Sequence, residues 1–285
     1  MSRSLGERVR GRLWKIAGIH LANGRRLSLG DFLGYTLRYL AVTLFGRRSQ
    51  GWLQPPGIAF PVCARFGTSD LDVFYQIFVE QEYAVIGDAS DVRVVLDLGA
   101  NVGYSSAWFA STFPDARIIA VEPDPENAAM CRINLAPYGD RVTVLQVGAW
   151  SRRAGLVLRR DFRDGREWSV QVREALPNEQ PEVEAVDIAT ILAEAGVNRI
   201  DILKMDTERA EIEIFGNNPQ PWLQRTRNLV VELHDEECER VCFSALSRYA
   251  YELRHSGELT IARDLRVSPS VGTGPTVAAA ERAHA

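Results

Sequence analysis

Val94-Val95-Leu96-Asp97-Leu98-Gly99-Ala100-Asn101-Val102-Gly103 is the stretch that decides how this chain folds. Five residues of a β-branched, apolar run read as a strand buried on both faces, since a strand open to water on one side would alternate. The run stops at a loop with glycines at 99 and 103, and a helical stretch, 103–112, follows it. Glycine permits both a tight turn and close approach of a ligand to the backbone. Strand, glycine loop and helix in that order open a β-α-β unit. In an open parallel sheet the ligand lies beyond the carboxyl ends of such strands.

Working outward, the pattern repeats. Residues 117–122, RIIAVE, read as a second strand, and 125–135 as a helix with Pro125 in its first turn. Residues 141–147 read as a third strand, 200–205 as a fourth before a helix over 208–215, and 228–233 as a fifth. A helix over 187–195 has Asp187 as N-cap. A helix over 236–250 and a last strand over 258–266 close the pattern. Between the third and fourth strands, GLVLRR, WSVQV and EVEAV alternate and are split by DFRDG and LPNEQP, which predicts an antiparallel β insertion over 154–186. Upstream, 51–62 carries three prolines and two glycines and reads as a connector. Thr68-Ser69-Asp70 opens a helix over 67–83 that buries Phe74, Ile77 and Phe78. The expected division is a basic helical extension over 1–50, connector and leading helix over 51–92, an α/β domain over 93–267, and a disordered tail over 268–285 that lacks aromatics and apolar periodicity.

Charge is segregated. Residues 1–50 hold ten Lys/Arg against Glu7 and Asp31, a net of +8, and with the 285-residue chain at −4 the remainder carries −12. Such a leader either meets an anionic surface or is a solvated extension. Residues 27–45 are apolar but interrupted by Asp31 and Arg38, so they fail as a membrane span. Their leucines at 33, 37, 40 and 44 suit either an interfacial helix, giving a peripheral membrane contact through 1–50, or packing on the main domain. Arginines interrupt the first twenty residues, so no secretory signal is expected and a cytoplasmic location is. Cys63, Cys131, Cys238 and Cys242 form no CxxC pair and read as buried thiols.

The strand ends carry the chemistry. The loop after the first strand reads G-x-x-x-G rather than the G-x-G-x-x-G of a pyrophosphate site, with Asp97 beside it. A carboxylate there repels phosphate and favours a cation. S-adenosylmethionine (SAM) carries an ammonium and no phosphate. Glu122-Pro123-Asp124 ends the second strand, where an acid accepts hydrogen bonds from ribose hydroxyls. Gly148 and Ala149 after the third strand leave room for a flat base, with Trp150 either beside it or in the core. The predicted cofactor set is Asp97, Gly99, Asn101, Gly103, Glu122, Pro123, Gly148 and Ala149. Asp206 and Glu208 after the fourth strand and His234 after the fifth are the catalytic candidates, with His234 suited to take a hydroxyl proton. Asp206 is alternatively the N-cap of the next helix, and His234 a hydrogen-bonded loop residue. No metal site is expected, since the acids Asp206, Glu208, Glu211, Glu232 and Asp235 follow no recognised ligand spacing, although Mg²⁺ is their alternative reading. Lys204 receives no role.

FGTSDLDVFYQIF (66–78), VVLDLGANVGYSS (94–106), AVEPDPEN (120–127), DILKMDTERAEIEIF (201–215) and VVELHDE (230–236) together resemble the FkbM family of SAM-dependent methyltransferases. The resemblance implies a Rossmann-like class I methyltransferase sheet and O-methylation of a sugar, glycolipid, polysaccharide or polyketide-type hydroxyl. It implies that Asp97, Gly99 and Glu122 line the SAM site and that Asp206 and Glu208 lie near the acceptor. The family commonly has glycine where this chain has Arg209, and a cation there would narrow the acceptor site or bind an anion. Two other readings stay open. A nucleic-acid methyltransferase would use the basic leader on phosphates, against which stand the acidic body and the MDTE at 205–208 where base-modifying enzymes carry Asn/Asp-Pro-Pro-aromatic. A non-catalytic binding protein would keep the fold and lose turnover through Arg209.

Overall fold

The computed structural model describes Leu37 and residues 49–160 and 170–268. Nearly all of the expected basic extension, with its alternative interfacial helix, and the expected tail beyond residue 268 therefore lie outside the described residues. The chain divides into two compact units, residues 1–81 and 82–285.

In the first unit, β1 (Ser49–Leu53) and β2 (Val62–Phe66) pair antiparallel, Ser49 opposite Phe66 and Leu53 opposite Val62. The expected connector is thus a hairpin, whose loop holds Pro55, Pro56 and Pro61 where no ladder hydrogen bond is needed. The single helix expected over 67–83 is instead a short α1 (Asp70–Phe74), a π turn over Tyr75–Val79 and, in the second unit, a 3₁₀ turn over Glu82–Ile86. Ser69 is the N-cap by position but its side chain makes no capping bond. The Asp70 carboxylate is occupied by Arg65, accepting from its backbone N–H at 2.8 Å and from its guanidinium at 2.8 Å. Phe74, Ile77 and Phe78 are buried as expected.

The second unit is built on a seven-stranded sheet. Its parallel strands are β3 (Val94–Leu98), β4 (Arg117–Val121), β5 (Val142–Leu145), and, after a four-stranded insertion, β10 (Ile200–Met205) and β11 (Thr226–Glu232). The insertion holds β6 (Gly148–Trp150), β7 (Ala154–Arg159), β8 (Gln171–Glu174) and β9 (Val183–Asp187) in the order β6-β9-β7-β8, with β7 antiparallel to both neighbours. Val142–Leu145 is shorter than the expected 141–147, because Gly148–Trp150 leaves the main sheet to pair with β9. The chain ends in β12 (Tyr249–Ser256) and β13 (Leu259–Val267), an antiparallel pair of which β13 lies against β11. The main sheet therefore runs β12-β13-β11-β10-β3-β4-β5. This is the Rossmann-like α/β sheet with antiparallel insertion that the sequence pattern predicts.

Helices cover the crossovers: α2 (Tyr104–Thr112), α3 (Pro125–Leu135), α4 (Ile188–Glu194), α5 (Ala210–Gly216), α6 (Gln220–Leu223) and α7 (Glu236–Leu246). Three start on aspartate caps. Asp124 accepts from the N–H of Glu126 and Asn127, Asp187 from that of Thr190, and Asp235 from those of Glu237 and Cys238. One core joins Leu96, Leu98, Val121, Leu203, Met205 and Val231 of the sheet to Ile191, Ile214, Phe215 and Trp222 of the helices. All four cysteines are buried. Among the described residues, no helix is long and apolar enough to cross a membrane.

The strand order fixes where a ligand sits. From β3 the chain moves outward through β4 and β5, then returns to place β10 on the other side of β3. The gap between the carboxyl ends of β3 and β10 is the switch point, where diverging loops leave a crevice.

Candidate functional site

A cleft of about 550 Å³, open to solvent, lies at that switch point. Gly99, Asn101, Glu122, Pro123, Gly148 and Ala149 line it, with Asp206 and Glu208 across from them. Val121, Asn127, Val170, Val172, Thr207 and Ala210 complete the wall. Six of the eight predicted cofactor residues and two of the three catalytic candidates thus share one cavity. Val170 and Val172 come from the β insertion and had no sequence signal to mark them.

Asp97 was expected to favour a cationic ligand at the strand end. It is fully buried and does not line the cleft. Its Oδ2 accepts from the hydroxyls of Ser105 and Ser106, each at 2.6 Å, and its Oδ1 lies 3.2 Å from Lys204 Nζ. Lys204, passed over in the sequence, stands opposite Asp97 in the β3–β10 register and is itself buried. Its ammonium also donates to the carbonyls of Gly99 at 2.6 Å and Leu98 at 3.3 Å. Burial would strip its proton, but Asp97 and Asp206 more than offset this and hold it charged. The pair thus braces the glycine loop and leaves the ligand's charge to other carboxylates.

Gly103 has the left-handed φ of 86° that the expected tight turn requires, but it lies outside the cleft wall, and a Cβ there would press on Cys131 and Leu135 of α3. Its smallness serves helix packing. Gly148 lines the cleft, but its missing Cβ makes room for Leu156, which would otherwise sit 2.4 Å away. Trp150 is absent from the cleft wall and donates from Nε1 to Glu174 at 2.8 Å.

Glu122 faces the cleft as expected. Its two oxygens accept from the N–H of Asn101 at 2.8 Å and of Asp124 at 2.9 Å. Burial pushes its pKa up to about 7, with those two backbone donors pulling the other way. Asn101, held at φ 51°, keeps a buried side-chain carbonyl oxygen with no hydrogen-bond partner. It is an acceptor awaiting a donor.

His234 lies behind the acids, its side chain 1% exposed. Its Nε2 is 3.4 Å from Glu208 Oε2, 3.6 Å from Asp206 Oδ1 and 3.6 Å from Glu232 Oε1, while Nδ1 is 3.7 Å from Glu211 Oε2. Burial lowers the imidazole's pKa, and these four carboxylates carry it well above its ordinary value. Burial, then Asp206, raises Glu232 in turn. Such a setting favours the protonated imidazole, the form with no lone pair for a substrate's proton. The expected role of neutral base does not follow from this setting.

Asp206 does not cap the next helix. That position belongs to Arg209, and the Asp206 N–H instead donates to the Leu98 carbonyl at 3.1 Å. Glu208 and Arg209 are both left-handed, φ 50° and 80°, a conformation that favours glycine. The Arg209 guanidinium pairs with Asp235 and is absent from the cleft wall, so it neither narrows the cleft nor offers an anion site there. Relief of left-handed strain, about 1 kcal/mol, then offsets loss of a half-exposed ion pair. Arg209→Gly is expected to leave the urea midpoint nearly unchanged and ligand affinity intact. A drop in affinity would bring the guanidinium into the ligand's reach.

The family model described as Methyltransferase FkbM domain matches residues 97–257, leaving the 66–78 stretch of the sequence resemblance outside it. The AMB antimetabolite synthetase AmbE of Pseudomonas aeruginosa is 27% identical over 231 residues, which are 67% of this chain and 11% of that protein. The 2-O-methyltransferase NoeI of Sinorhizobium fredii is 30% identical over 158 residues, 50% of this chain and 64% of that protein. The O-methyltransferase imqG of Aspergillus flavus is 42% identical over 60 residues, 20% of this chain and 24% of that protein. The chain therefore spans less than two thirds of each of these relatives. With the family model covering more than half of it, from Asp97 near the end of β3 to the turn between β12 and β13, the chain belongs to the FkbM methyltransferase domain family.

Proposed function

We propose that this chain is a SAM-dependent O-methyltransferase acting on a hydroxyl of a small-molecule or glycan acceptor, of sugar, glycolipid, polysaccharide or polyketide type. One observation carries the reading. The cleft at the switch point is lined by three carboxylates, Glu122, Asp206 and Glu208, and by no Lys or Arg among the described residues. Such a wall repels a dinucleotide's pyrophosphate or a nucleic-acid backbone and attracts a cationic nucleoside. The relatives named as O-methyltransferases support the same chemistry.

The residues present fit that cofactor. Glu122 keeps lone pairs beyond its two backbone bonds, enough to accept both ribose hydroxyls. Asn101's unpartnered carbonyl oxygen accepts from an ammonium. SAM, when bound, supplies an electrophilic methyl on a sulfonium. The chain's part is alignment, because in-line displacement gains most from holding its two partners in register. Asp206 and Glu208 face the cleft and hold the acceptor hydroxyl and its proton, and His234 and Lys204 position them from behind.

Glu122 gives the direct test. A buried, charge-assisted hydrogen bond contributes about 1.5–3 kcal/mol, so Glu122→Ala is expected to weaken SAM binding roughly tenfold to a hundredfold by calorimetry. The pH dependence has a definite sign. Only the carboxylate accepts two hydroxyls and attracts a cation, so wild-type affinity is expected to fall as pH drops through about 7 and to level off above it. A wild type that binds no SAM, or a variant that binds it equally well, sinks the reading.

A further inference from the structure

We propose that Asp206, Glu232 and His234 form a divalent-cation site at the edge of the cleft. Asp206 follows β10 and Glu232 ends β11, neighbouring parallel strands paired at Met205 and Val231, and His234 follows two residues later. One ligand atom from each of the three lies within 4.8 Å of the other two. Neither ring nitrogen of the buried His234 makes a well-formed hydrogen bond, the nearest carboxylate being Glu208 at 3.4 Å from Nε2. That is costly for a polar group out of water.

The spacing points to an ion. His234 Nε2 stands 3.6 Å from Asp206 Oδ1 and 3.6 Å from Glu232 Oε1. A charge-assisted hydrogen bond would close such gaps to about 2.7–2.9 Å. Ligands about 2.0–2.2 Å from a tetrahedral cation lie roughly 3.4 Å apart, near what is seen. The other side of the ring is arranged for the same task. Nδ1 faces Glu211, whose carboxylate is fixed by the N–H and hydroxyl of Thr207, each at 2.6 Å. A carboxylate behind a ligating histidine sets the ring's tautomer and orientation.

An imidazole with two carboxylates suits Mn²⁺ or Zn²⁺ better than Mg²⁺, which prefers oxygen and keeps its waters. Asp206 lines the cleft, so an ion there would reach an acceptor oxygen and favour its deprotonated form. That catalytic role rests on the methyl-transfer reading. Occupancy of the site does not.

The test is titration of chelator-treated, full-length protein with Mn²⁺, followed by the loss of the free-ion electron paramagnetic resonance signal, and with Zn²⁺ by calorimetry. A single ion per chain is expected, with His234→Ala and Asp206→Asn each weakening it by at least about tenfold while circular dichroism stays native. Glu122→Ala, elsewhere in the cleft, is expected to keep the ion. Absence of Mn²⁺ and Zn²⁺ binding, or equal binding in folded His234→Ala and Asp206→Asn, overturns the site. SAM binding by a chain that takes up neither ion overturns the site and leaves the methyltransferase reading standing. Ion binding by a chain that takes no SAM does the reverse.

Discussion

Lys204→Met is expected to cost about 3–5 kcal/mol of stability in urea unfolding, the usual penalty for leaving one member of a buried ion pair alone. Lys204 and Asp97 are buried side by side across β3 and β10. With the ammonium gone, Asp97 keeps the hydroxyls of Ser105 and Ser106 but no counter-charge. The Gly99 carbonyl loses this donor as well, and the Leu98 carbonyl keeps only the Asp206 N–H. Methionine fills a similar volume, so packing changes little and the loss is electrostatic. Asp97→Asn tests the same pair from the other side. The double variant is expected to be less damaged than the two single losses added together, because the second substitution removes a charge the first left stranded. A Lys204→Met penalty below about 1 kcal/mol would show that the two charges do not depend on one another. Cofactor affinity is expected to fall with stability, since the same ammonium fixes the loop that carries Gly99.

That pair also marks where the sequence stopped being readable. The β-α-β pattern was legible because parallel strands are apolar runs and helices begin on strong caps. Val94–Leu98, Pro125–Leu135 and Ile200–Met205 stand where the pattern placed them. The hairpin that ends the sheet was half missed. The periodicity of α7 continues smoothly toward Tyr249 and Ala250, and only Ser247 and Arg248, neither of them a strong breaker, separate it from β12. The cleft-lining residues were legible because strand ends next to glycine or an acid are few. The sense of their electrostatics was not. Asp97 looked free because its partner lies on a strand far along the chain, and strand order is not written locally. His234 was recognised as a titratable group at the right strand end, but its four carboxylates come from β11, α5 and the β10–α5 loop. Only their convergence converts a neutral base into a charged or metal-binding group.

Gly99→Ala is expected to do severe local damage. Gly99 sits at φ 74°, and a Cβ there would lie 1.8 Å from the Asp206 carbonyl oxygen and 2.9 Å from its carbon. The obstacle is backbone rather than a flexible side-chain tip, so no rotamer relieves it. The two strand ends at the switch point would have to separate. Their separation would break the Asp206 N–H bond to Leu98 and pull Lys204 from the Gly99 carbonyl. Gly139→Ala supplies the control: φ is 63° and a Cβ would meet nothing within 4 Å. That variant bears only backbone strain, about 1–3 kcal/mol, because φ 63° with ψ −144° is essentially a glycine conformation. Gly99→Ala is expected to exceed it clearly in urea unfolding and to lose SAM binding in calorimetry even at temperatures where the variant is folded. Gly139→Ala is expected to keep its affinity. If the two variants unfold alike, the strands do not approach as closely as described. If Gly99→Ala is folded and binds SAM at full strength, the cofactor does not use the loop between β3 and α2.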